Sequence, residues 1–89
     1  MEWFPWYPAL YRADTLDLTV EQDGAYRRLI DHYMETRLPL PNNEVALSRI
    51  VGMSINDFRT IAEQVLCKFN ENDGELHNKR CDIELNRQD

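Results

Sequence analysis

Leu47-Ser48-Arg49-Ile50-Val51-Gly52-Met53-Ser54-Ile55-Asn56-Asp57-Phe58-Arg59-Thr60-Ile61 reads as the end of one helix, a turn, and the start of another. Asn42-Asn43 offers a cap for the first, whose apolar members are Val45, Leu47, Ile50 and Val51, and Gly52 stops it. Ser54 with Asp57 stands at the Ser-x-x-Asp spacing of a helix start. Phe58, Ile61, Ala62, Val65, Leu66 and Phe69 then recur at helical spacing on one face. The glycine and its apolar flanks Leu47, Val51, Met53, Phe58 and Ile61 predict two helices held across each other as a helix-turn-helix, over 43–51 and 54–68.

Upstream, Thr19-Val20-Glu21-Gln22 has the spacing of a capping box and predicts a helix over 19–37. Tyr26, Leu29, Ile30 and Tyr33 follow at i, i+3, i+4 and i+7, which is one buried stripe. Gly24, in the second turn, costs about 1 kcal/mol relative to alanine, so close approach of another segment is expected there. Leu38-Pro39-Leu40-Pro41 ends this helix, because each proline disfavours the helical region at its predecessor. Before it, Trp3, Phe4, Trp6, Tyr7 and Tyr11 are interrupted by Pro5 and Pro8, which reads as an extended aromatic strap over 1–18. The rings either lie over the helical core or form a platform for a partner, with Trp3, Phe4, Trp6 and Tyr7 as its contact residues.

Downstream, Asn72-Asp73-Gly74 is a tight-turn signal, since Asp-Gly accepts positive φ angles, and it predicts a β-hairpin over 69–78. Lys79 to Arg87 reads as a short C-terminal helix with Cys81 and Leu85 on its inner side. The expected architecture is one domain over 1–89, mainly α with a small β-hairpin and winged helix-turn-helix-like.

The 89 residues contain 16 acidic and 10 basic side chains, a formal charge of −6. Because duplex affinity rests on Lys and Arg neutralising phosphates, such a chain starts with a handicap as a nucleic-acid binder. Cys67 and Cys81 are too sparse for a disulfide scaffold, and with His32 and His77 they show no metal-ligand spacing, so no metal and no cofactor are expected. No nucleophile motif or acid–base relay is visible, so the chain does not read as an enzyme. Neither a membrane-length apolar run nor a secretory start is present, and the reading is cytoplasmic.

For a helix-turn-helix on a duplex, the second helix offers Asn56, Arg59, Thr60 and Gln64 to base edges, with Arg59 foremost. Arg49, Lys68, Lys79 and Arg80 are then the candidate phosphate contacts, enough for weak, salt-sensitive binding. Glu71, Asp73 and Glu75 put three carboxylates on the hairpin, which phosphates repel and which would suit a basic protein partner. Double-stranded DNA and a basic protein are therefore the two expected partner classes. Pairing of two copies through the strap or the last helix is left open.

Tyr11-Arg12-Ala13-Asp14-Thr15, Leu18-Thr19, Gly24-Ala25-Tyr26, Leu29, Leu40-Pro41, Phe69, Asp73-Gly74, Lys79-Arg80 and Glu84-Leu85 form a series along nearly the whole chain. This series resembles the YdaU-like family of small phage and prophage domains. That family has no assigned activity and is similar to the winged-helix N-terminal domains of phage replisome organisers. The resemblance implies work in phage DNA replication or its control, by contacting DNA, loading partners, or both.

Overall fold

Thr19 and Gln22 satisfy each other's free backbone groups: the Thr19 hydroxyl accepts from Gln22 N–H at 3.1 Å, and Gln22 Oε1 accepts from Thr19 N–H at 2.9 Å. From this box runs a long helix of the computed structural model, which describes residues 15–88. Helix α1 spans Val20–Thr36 and ends on Arg37 in the left-handed region. Its inner face buries Ala25, Tyr26, Leu29, Ile30, Tyr33 and Met34, and it packs against each of the other described helices. Leu18 packs against the same core, while the strap residues Trp3, Phe4, Trp6 and Tyr7 lie outside the described residues.

Strand β1 (Leu40–Pro41) leads to α2 (Glu44–Val51), α3 (Ile55–Leu66), β2 (Asn70–Asn72), β3 (Glu75–His77) and α4 (Lys79–Gln88). The chain is mainly helical, with a small three-stranded antiparallel sheet in the order β1-β3-β2. The third strand departs from the two-stranded hairpin expected. Leu38-Pro39-Leu40-Pro41 does stop α1, but Leu40 then pairs with Leu76 and Pro41 with Glu75. Proline is tolerated in β1 because that strand is an edge and its missing donor faces away from the ladder. Leu40 and Leu76, both buried, bring the sheet onto the helical core. The hairpin turn has the expected chemistry, with Asp73 at φ 54° and Gly74 at φ 77° joining Asn72 to its partner Glu75.

The caps around the central turn are as spaced in sequence. Asn43 Oδ1 accepts from Ala46 N–H at 3.0 Å and the Ser54 hydroxyl from Asp57 N–H at 3.1 Å. Gly52, at φ 79°, closes α2 with its N–H on the Ser48 carbonyl. Phe58, Ile61 and Val65 then turn α3 inward and are buried. α3 ends at Leu66, two residues before the predicted boundary at 68, because Cys67, Lys68 and Phe69 form a tight turn into β2.

One tie across this turn has no sequence signal. Arg28 of α1 donates from Nη1 to the Val51 carbonyl at 3.1 Å, putting a cation on the C-terminal end of α2 where the helix dipole favours it. A Cβ at Gly52 would stand 2.7 Å from that nitrogen. Gly24 is the opposite case: it is exposed and a Cβ there meets nothing within 4 Å among the described residues, so the expected close neighbour is absent from them. We expect Gly52→Ala to destabilise by about 1–2 kcal/mol, since it combines left-handed strain with displacement of Arg28. Gly24→Ala should stabilise by about 0.5–1 kcal/mol through helix propensity alone. Urea unfolding of the two variants should move the midpoint in opposite directions.

Candidate nucleic-acid interface

The outer face of α3 carries Asn56, Arg59, Thr60, Glu63 and Gln64, all exposed. Arg59 is held: its Nε donates to Glu44 Oε2 at 2.9 Å and its Nη2 to Glu44 Oε1 at 3.2 Å. Glu44 is the first residue of α2, so this fork spans the helix-turn-helix from one helix start to the outside of the other. The guanidinium hydrogen bonds hold the Glu44 carboxyl below its ordinary range, and the same contacts raise Arg59. Both side chains are about half exposed, so the pair orients Arg59 more than it stabilises the fold. Thr60 donates to the Asp57 carbonyl at 2.6 Å, which fixes its hydroxyl against its own helix. Arg49 is exposed in the last turn of α2.

The remaining predicted phosphate contacts converge elsewhere. Lys68, Lys79 and Arg80 line one cleft of about 390 Å³ together with Asn70, Asn78 and Ile83. Lys68, mostly covered, donates to Asp17 Oδ1 at 2.8 Å. This hydrogen bond holds the Asp17 carboxyl below the usual carboxylate value. The predicted eight residues therefore divide between the helix-turn-helix pair, which carries Asn56, Arg59, Thr60, Gln64 and Arg49, and a cleft at the start of α4 with the other three.

The cleft is built on Asn78, which lies outside the predicted site residues. Asn78 is buried and caps α4 through Oδ1, which accepts from Cys81 N–H at 2.9 Å. Its side-chain amide donates to the Tyr26 hydroxyl and to the Lys68 carbonyl, each at 3.4 Å. Its backbone N–H donates to the Tyr33 hydroxyl at 3.2 Å, and that hydroxyl donates to Asp82 Oδ1 at 2.5 Å. Burial and then the Asp82 carboxylate push the Tyr33 hydroxyl far above the ordinary tyrosine range, so it stays a donor. Tyr26 also meets Phe69 edge-to-face, with ring centroids 5.9 Å apart. A signal was present in sequence, because Asn78 with Cys81 has N-cap spacing. Arg28, Glu44 and Asp17 had none, since their partners lie in other elements.

Among the described residues no three His, Cys, Asp or Glu side chains group as metal ligands, and no helix is long and apolar enough to cross a membrane. Both cysteines are free thiols, Cys67 exposed and Cys81 buried. Burial, with the neighbouring Asp82 carboxylate, pushes the Cys81 thiol up to about 12.

These features define a small, mainly helical domain in which two short helices joined by a glycine turn are braced by a three-stranded antiparallel sheet. The chain belongs to the family described as "Protein of unknown function (DUF1376)", which matches residues 2–86. It is similar to "Uncharacterized protein YdaU" of Escherichia coli (strain K12), with 33% identity over 66 residues, or 73% of this chain and 23% of that protein. The chain thus spans less than a quarter of that relative's length. No solved structure matches.

Two outcomes follow from this geometry. Tyr33→Phe leaves Asp82 and the Asn78 N–H without their partner and should cost about 1–3 kcal/mol in chemical denaturation. Native alkylation should label Cys67 alone, with Cys81 reacting only once the chain unfolds; equal labelling of both by mass spectrometry would contradict the packing of α4.

Proposed function

We propose that this chain is a non-enzymatic winged-helix domain of phage or prophage origin that assists DNA replication or its regulation through weak contact with duplex DNA. The single observation that carries the reading is α3 itself. It follows a short glycine turn, buries Phe58, Ile61 and Val65, and presents an outward face made wholly of exposed polar side chains. The order helix, strand, helix, helix, two strands is the parts order of a winged helix-turn-helix, in which that face enters the major groove. Arg59, forked by Glu44, is displayed in a fixed orientation suited to a guanine edge, flanked by Asn56, Thr60 and Gln64. The phage and replication setting comes from the family resemblance.

Affinity is low on this reading because carboxylates offset the cations. Asp57 and Glu63 share α3 with Arg59, and Glu71, Asp73 and Glu75 occupy the exposed hairpin. That hairpin favours a second reading, a module that docks a basic replication or regulatory protein without touching DNA.

Fluorescence polarisation with labelled duplexes separates the two. Affinity should fall about tenfold or more between about 50 and 200 mM salt. Glu44→Gln, which removes a charge from the displayed fork, should tighten binding, whereas Arg59→Ala should flatten the preference among sequences. Absence of binding at low salt would sink the DNA reading in favour of protein docking.

A further inference from the structure

The cleft at the start of α4 has features that duplex binding through α3 does not use. Lys79 and Arg80 stand in the first turn of that helix, where the dipole disfavours cations by about 0.3–1 kcal/mol each. Lys68 is brought beside them by the turn after α3, and its side chain is only 20% exposed. Three cations line one wall of the cleft, and Lys68 among them is paired with Asp17. The wall is also rigid, since Asn78 is buried and fixed by bonds to Tyr26, Tyr33, Lys68 and Cys81. Ile83, one turn beyond Lys79, adds an apolar surface that is 48% exposed. A volume of about 390 Å³ lies within the range of small-molecule sites.

We propose that this cleft is a phosphate-monoester site that takes a nucleotide, with Lys68, Lys79 and Arg80 on the phosphate and Ile83 against the nucleoside. A monoester carries a charge of about −1.5 to −2 at neutral pH and three acceptor oxygens, which a wall of three cations selects over a carboxylate or a singly charged diester. The exposed Asn70 amide supplies a hydrogen-bonding edge. Asp17 at Lys68 is a competing anion, so the phosphate displaces or shares that contact on entry. The monoester can belong to a free nucleotide or to the 5′ end of a strand. Neither source requires α3 to bind a duplex, so failure of the duplex reading leaves this site untouched.

The test is an amide-resolved NMR titration of the whole chain with inorganic phosphate, adenosine monophosphate and adenosine. Saturable shifts at residues 68–70 and 78–83 are expected with the two phosphate-bearing probes, tighter for the nucleotide, and none with adenosine. Lys79→Gln and Arg80→Gln should each weaken the nucleotide about tenfold while the rest of the spectrum stays folded. Asp17→Asn should tighten it several-fold, and Asp57→Asn, at the opposite end of α3, should leave it unchanged. A short single strand with and without a 5′-phosphate distinguishes the sources: a gain on phosphorylation assigns a strand end, and no binding of either strand assigns the free nucleotide. Absence of saturable shifts with phosphate and nucleotide, equal tightening by Asp17→Asn and Asp57→Asn, or equal binding of both strands would overturn the assignment.

Discussion

The hydroxyl of Tyr33 is the constraint on which the arrangement turns. It sits at the C-terminal half of α1 on a side chain only 1% exposed, accepting from the Asn78 backbone and donating to Asp82. A buried hydroxyl without partners would cost about 1–3 kcal/mol, so the first residues of α4 have little freedom to move away from α1. Tyr26, two turns earlier on the same stripe, adds a second grip through the Asn78 amide. Because Asn78 follows β3 directly, these bonds also fix where the sheet ends and the last helix begins. The stripe that buries apolar area therefore also positions the polar junction that shapes the cleft.

Three cations among the described residues act as ties between elements. Arg28 closes α2 from α1, Arg59 joins α3 to the start of α2, and Lys68 reaches Asp17 ahead of α1. Each tie links elements distant in sequence, and each places a positive charge where a helix end or a carboxylate already faces it. For the exposed Arg59–Glu44 pair the energetic value is small, and its main effect is to set the direction of the cation. On the proposed reading, that orientation would make a sparse set of basic residues usable by an anionic partner in an acidic domain.

The helix-turn-helix and the hairpin were legible because their determinants are local. Thr19 with Gln22, Asn43, Gly52 with Ser54, and Asp73-Gly74 act within three or four residues, through backbone groups that must be satisfied or φ angles that few residues adopt. The apolar stripes of α1 and α3 were legible for a related reason, since helical period alone decides which side chains share a face. The edge strand was missed at Leu40-Pro41, where the prolines end a helix locally and only the approach of Leu76 turns the segment into a strand. Among the candidate site residues, type and exposure were readable, as Asn56, Arg59, Thr60 and Gln64 on the outer face of α3 show.

Local order along the chain thus set the starts of α1, α2 and α3, the buried faces of α1 and α3, and the tight turn after Asn72. Only the tertiary structure decided that Arg59 is forked by Glu44, that Lys68, Lys79 and Arg80 share one cleft, and that Asn78 anchors it. The physical reason is range. Caps and periodicity are set by neighbours along the chain, whereas ion pairs and clefts depend on groups whose proximity exists only after α1 has gathered the other helices around its buried face.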